Sequence, residues 1–373
     1  MGWITSRSGS WVAGALLLAL AGPVVAGEPP APRLPRGYVC LRATAPIRID
    51  GKLDEASWTA APWSDDFEDI EGSIRPRPRF RTRMKLLWDD RYFYVAAELE
   101  EPHIWATLTQ HDSVIFHDND FEVFIDPDGD HHEYYEFEIN ALNTGWDLFL
   151  AKPYRDGGPA RNEWEIPGLK TAVHIDGTLN EPSDQDRTWS VEIAIPWTVL
   201  GEYAHRPVPP RPGDQWRINF SRVEWKHQIE NGRYRKVANT REDNWVWSPQ
   251  GVIDMHRPER WGYVQFSDRP PGVDVFRRDP LEGVRDRLVE IYHAQKRYRD
   301  ENKRWAARLD LLKLTTSTPL PGESPPTLHL DDDDYRAEIR LDGREGRPPV
   351  RLWIESDSRL RVEPIRPGAS EPR

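Results

Sequence analysis

From Tyr38 to about Asp268, apolar and polar residues alternate with period two between turn residues, a pattern that predicts strands. Trp189, Val191, Ile193 and Ile195 alternate with Ser190, Glu192 and Ala194 until Pro196 closes the run, which predicts a half-buried antiparallel strand. Residues 83–88 and 92–99 predict two strands joined across Asp89-Asp90-Arg91. Further strands are expected at 121–125, 134–140, 171–175, 216–223 and 263–266. Many short strands without a long helix among them predict a mainly β chain, an antiparallel β-sandwich of jelly-roll type over residues 38–268.

After Arg278 the period changes. Asp279-Pro280-Leu281-Glu282 reads as a helix start with a capping box, and Val284, Leu288, Ile291, Tyr298, Trp305, Leu309 and Leu312 recur at helical spacings. A C-terminal amphipathic helical segment over 279–313 is expected, interrupted near Asn302. The proline-rich stretch 319–326 then leads to a small β extension over 327–365.

Charge and composition narrow the partners. Residues 1–26 read as a secretory signal peptide, with Arg7 as the only charge, an apolar run from Trp11 to Ala21 and small residues at Val24-Val25-Ala26. That run is too short to span a bilayer, so an exported protein without stable membrane insertion is expected, in the periplasm or outside the cell. A proline-rich spacer, 27–37, follows. The 373-residue chain has net charge −12; without Arg7 the balance is 49 − 62 = −13, which argues against nucleic acid as a partner. Cys40 is the only cysteine, so no internal disulfide forms and it reads as a small buried hydrophobe or an idle thiol. Seventeen Trp suit either a wide core or sugar stacking, and at any single position the core is the stronger reading.

The densest polar constellation runs from His111 to Asn140. Glu122 and Asp126 fall on one side of their strand, with Phe121, Val123 and Ile125 on the other; Tyr134, Glu136, Glu138 and Asn140 share a side of the strand expected beside it. Such a face accepts hydrogen bonds from sugar hydroxyls, or forms a structural acid network tied to arginines. Asp126, Asp128 and Asp130 offer alternate carboxylates to a calcium ion, or belong to a hydrated turn. The EF-hand form fails, because His131 stands at its sixth position and Phe137 at its twelfth. His132 and Glu136 stand about 13 Å apart on a strand and cannot share one metal, and His103, His111 and His117 show no zinc spacing. No serine elbow, phosphate loop or dinucleotide fingerprint occurs.

Five ordered segments carry a resemblance: Ile49-Asp50-Gly51-Lys52-Leu53-Asp54-Glu55-Ala56-Ser57-Trp58; Leu87 through Val95; Asp120 through Asp126; Trp189 through Trp197; and Trp247-Ser248-Pro249 with Trp261-Gly262. Together they resemble family 9 carbohydrate-binding modules over about residues 40–267. The resemblance implies a jelly-roll-like sandwich that binds xylan or cellulose chain ends and small sugars, with structural calcium and often beside a glycoside hydrolase. It places the family's binding Glu at Glu122, its first clamp aromatic at Phe116 and its binding-strand Asn at Asn140. This chain departs from the family at two positions: the binding Arg is replaced by Glu138, and the second clamp Trp falls at Met255, beside His256.

The leading expectation is therefore non-catalytic carbohydrate binding through Phe116, Glu122, Glu138, Asn140, Met255 and His256, supporting polysaccharide breakdown. A glycoside hydrolase using a pair among Glu122, Glu136 and Glu138 is the alternative from the enzyme class. A haem-binding sandwich of cytochrome type, with Met84 or Met255 as axial ligand, is the third reading.

Overall fold

A computed structural model of the chain describes residues 34–315, 319–331, 333–343 and 347–365. The expected signal peptide, 1–26, and most of the spacer lie outside the described residues.

The main architecture is one long, curled sheet. Its strands follow the order Ala160–Arg161, Gly145–Leu150, Tyr134–Asn140, Asp120–Asp126, Gln215–Glu224, Gly262–Ser267, Gly37–Arg42, Thr82–Trp88, Tyr92–Glu100, Thr188–Pro196 and Lys170–Asp176. Neighbours run antiparallel except at Gly37–Arg42, which pairs parallel with strands on both sides and so joins the two halves. The halves close face to face as a sandwich. Phe121, Val123, Ile125, Phe137 and Phe220 from one half share a core with Val95, Ala97, Val191 and Ile193 from the other. Cys40 lies fully buried in that core. Trp88, Trp189, Trp197, Trp216, Trp245 and Trp247 are buried in the same core, whereas Trp63, Trp146, Trp164 and Trp225 keep partial exposure.

The strand expected to be half-buried is covered on both faces. Glu192 has no exposed surface. The Trp58 indole N–H donates to its Oε1 at 2.7 Å, and the backbone N–H groups of Asp50 and Gly51 donate to Oε2 at 2.8 and 2.7 Å. Gly51 holds φ at +81°, and a Cβ there would stand 2.5 Å from the His174 nitrogen, so only glycine admits this approach. Alternation alone suggested a solvated face because the covering segment is about 140 residues earlier in the chain.

The C-terminal helix spans Glu282–Asn302, not the full 279–313 segment. Lys303 turns left-handed at φ +60° and its N–H donates to the Arg299 carbonyl, ending the helix. Asp279 accepts the Leu281 N–H at 2.9 Å, but it lies too early to be the N-cap. Beyond Lys303 the chain reverses, and Trp305 packs on Tyr335 with ring centroids 4.8 Å apart. The apolar positions read as a longer helix are buried because the chain folds back on the four-stranded sheet formed by Thr327–Asp331, Asp334–Leu341, Val350–Glu355 and Leu360–Pro364. Val284, Leu288 and Ile291 of the helix share that core with Ile339, Leu352 and Ile354. Among the described residues, no helix is long and apolar enough to cross a membrane.

Candidate functional site

The acidic face arises from strict alternation on paired strands. Phe121, Val123 and Ile125 turn to the core, which sends Asp120, Glu122, Phe124 and Asp126 to the opposite face. The neighbouring strand is antiparallel and sets Glu138 directly opposite Glu122, with Glu136 opposite Phe124. The next strand places Trp146 opposite Glu138 and Leu148 opposite Glu136. These rows floor a cavity of about 370 Å³. Its polar lining is Glu122, Glu136, Glu138, Glu242, Asn244 and His256, and its apolar lining includes Phe116, Phe124, Trp146, Tyr154 and Met255.

The walls are held by named bonds. Phe116 lies in the single turn Ile115–His117; its N–H donates to Glu138 Oε2 at 2.9 Å, while the Trp225 indole N–H donates to its carbonyl at 2.8 Å. The rings of Phe116 and Trp146 lie 6.4 Å apart between centroids. On another wall, His256 shares a 3.0 Å hydrogen bond between its Nδ1 and the Tyr134 hydroxyl, and Tyr154 packs edge-on to it at 4.5 Å. Met255 is fixed by the Trp261 indole N–H, which donates to its carbonyl at 2.9 Å. The Gln250 amide also donates to its sulfur at 3.1 Å.

The floor is acidic, and its burial disfavours the charged form of each carboxyl. Burial pushes Glu122 up to about 7, and burial followed by repulsion from Glu122 holds Asp120, Glu136 and Glu138 well above the carboxylate range. Glu136 is 5% exposed and its Oε2 has no hydrogen-bond partner among the described residues; Asp120 Oδ2 is similarly unpartnered. Burial lowers His256 to about 4, so its ring is neutral at pH 7. No lysine or arginine lines the cavity among the described residues.

Phe116, Glu122, Glu138, Met255 and His256 line one cavity. Asn140 does not join them. Its amide N–H groups donate to the Leu108 carbonyl and Asp118 Oδ2, and its oxygen accepts from Leu142 and Thr144, so it organises the loops behind the site. Tyr154 and Glu242 are lining residues that strand alternation does not single out, whereas Trp146 is among the tryptophans that can stand in for the missing clamp at Met255. Met84 lies buried in the core, and the Met255 sulfur accepts the Gln250 amide at the cavity wall.

Asp126, Asp128 and Asp130 do come together, each offering an oxygen within 4.8 Å of the others. Their bonds, however, point inward. Asp126 accepts the N–H groups of Gly129 and His131 at 2.9 Å each, and Asp130 accepts the His132 N–H and the Arg359 Nε–H, both at 2.9 Å. Arg359 pairs with Asp130, so the loop docks the C-terminal sheet, while its three carboxyls still stand close enough together to hold an ion. Sequence patterning missed this because Arg359 comes 229 residues after Asp130.

The profile of the family described as carbohydrate family 9 binding domain-like matches residues 49–268, more than half of the chain, and the chain belongs to that family. Similar solved structures include a family 9 module from Caldicellulosiruptor kristjanssonii in complex with cellotriose, at 16% identity and TM-score 0.41, covering 65% of this chain and all of that one. A module of that family from the same organism in complex with glucose aligns at 16% identity and TM-score 0.40, covering 64% of this chain and all of that one. A Bacteroides uniformis protein described as a candidate carbohydrate-binding protein aligns at 16% identity and TM-score 0.47, covering 62% of this chain and all of that one. No curated protein matches.

Proposed function

We propose that this chain is an exported, non-catalytic carbohydrate-binding protein whose ligand is one pyranose unit, free or at a chain end, held in the cavity above Glu122. The observation that carries this reading is the convergence of Phe116, Glu122, Glu138, Met255 and His256 on one cavity with aromatic walls and a floor of acceptors. Aromatic faces suit the C–H face of a pyranose, and carboxylates accept its hydroxyl hydrogens. Xylan and cellulose ends are the proposed ligands, with work beside glycoside hydrolases in polysaccharide breakdown and residence in the periplasm or outside the cell.

Binding is favoured over hydrolysis by the arrangement of the acids. Glu122 and Glu138 stand opposite one another on a single wall and each offers an oxygen within 4.8 Å of the other. A glycosidase instead sets its two carboxyl groups on either side of the scissile bond. The cluster of raised carboxyls without a basic lining residue among the described residues favours a second ligand class, sugars with a free protonated amine, whose charge would draw the protons off the floor acids.

Calorimetric titration of the mature protein with glucose, xylo-oligosaccharides, cello-oligosaccharides and glucosamine tests both. Saturable binding of any of them, weakened tenfold or more by Phe116→Ala, is the expected result. No heat from any sugar would refute the carbohydrate reading, and glucosamine binding no tighter than glucose would remove the amine preference alone.

A further inference from the structure

A second polar cluster lies outside the cavity, where the loop ahead of Phe116 meets the strand that carries Trp146. His111 Nε2 stands 3.2 Å from Glu165 Oε2, 3.3 Å from Asp112 Oδ1 and 3.5 Å from Asp147 Oδ1. The opposite ring nitrogen, Nδ1, is 2.9 Å from the Gly145 carbonyl, an acceptor that calls for a proton on Nδ1. Nε2 thus faces three carboxylate oxygens at once, with Glu165 Oε2 at hydrogen-bond distance, a set that calls for a positive charge among them, either a proton on Nε2 or a bound cation.

Asp147 supplies the independent sign of a missing partner. Its side chain is 2% exposed, and its Oδ2 accepts the Ile166 N–H, but its Oδ1 has no hydrogen-bond partner among the described residues and faces His111. A buried acceptor left in this state is costly. The spacing also has a meaning. Four donors around a tetrahedral ion with bonds of about 2.1 Å stand roughly 3.4 Å from one another, close to the three separations measured from His111. A backbone carbonyl on the far nitrogen is also the common outer support of a metal-bound imidazole.

We propose that His111, Asp112 and Asp147, with Glu165 as the fourth donor, form a divalent metal site that takes zinc. One imidazole with three carboxylates in a four-donor set suits zinc over calcium, which takes six to eight oxygens. The half-exposed His111 leaves the site open to solvent for entry. The ion would tie the loop before Phe116 to the strand bearing Trp146 and to the segment bearing Glu165, bracing one aromatic wall of the cavity. This inference goes beyond the carbohydrate reading and does not rest on it.

The test is direct metal binding to the chelator-stripped mature protein: calorimetry with zinc, manganese and calcium salts, and visible absorption with cobalt(II). One zinc per chain, bound at least 100-fold more tightly than calcium and at least 100-fold more weakly by His111→Ala, is the expected result, with cobalt giving the intense bands of a tetrahedral ion. Because His111 is half exposed, that variant should keep the wild-type melting temperature; Asp147→Asn is the second variant and should lose binding similarly. No saturable zinc binding, calcium bound as tightly as zinc, or unchanged zinc affinity in folded His111→Ala would overturn the proposal.

Discussion

Glu192 and Glu136 are both buried acids on strands of the same curled sheet, one in each half, yet their surroundings are opposite. Glu192 receives an indole N–H and two backbone N–H groups, while Glu136 Oε2 receives none and faces a cavity beside Glu122 and Glu138. The comparison separates two uses of the same residue type. A buried carboxylate surrounded by donors from its own chain holds the fold together; one surrounded by other carboxylates at a cavity wall awaits something from outside.

The largest effect should come from removing the satisfied acid. Glu192→Ala leaves three donors without an acceptor and should cost about 3 kcal/mol of stability by urea unfolding, with sugar affinity in the folded fraction unchanged. A small loss there would make the two acids alike and erase the contrast.

The acids at the cavity should respond differently to substitution, although burial raises Glu122 and Glu192 alike to about 7. Glu122 has a folded pKa of about 7 against an ordinary 4.5, so the folded state holds a proton that the unfolded state has released over that window, and its charge destabilises the protein as pH rises through it. Glu122→Gln should therefore match wild type near pH 5, gain about 1–3 kcal/mol at pH 8 and lose sugar affinity. The difference between variant and wild type is the proper readout, because burial lowers His131 to about 3 and His256 to about 4, and these rings shift stability with the opposite sign below pH 6.5. A stability loss at pH 8 would show that Glu122 is tied into the fold like Glu192.

Arg359→Ala sharpens the comparison at a third acid group. It removes the partner of Asp130 and Glu133, and a loss of about 1 kcal/mol in thermal unfolding without change in sugar affinity is expected. Calcium restoring the lost stability would instead return the Asp126–Asp130 loop to metal binding.

Much of the site was legible from period-two patterning. Alternation around Phe121, Val123 and Ile125 put Glu122 on the outer face, and the similar run through Phe137 and Ile139 put Glu136 and Glu138 beside it. The failures share one feature, dependence on residues far apart in the chain. Asn140 has the right face but spends its amide on Leu108 and Asp118. His111 shows no zinc spacing because its partners Asp147 and Glu165 come from other segments.

Short-range order along the chain by itself determined which segments become strands, which face of each is apolar and where the C-terminal helix begins to form, because backbone geometry makes these properties periodic and local. Tertiary structure alone decided which buried acids are neutralised, by setting Trp58 and Gly51 on Glu192, Arg359 on Asp130, and no cation beside Glu136 among the described residues. The reason is physical: whether a buried charge is stabilised depends on what lies within a few ångströms of it in space, and chain separation carries no information about that distance.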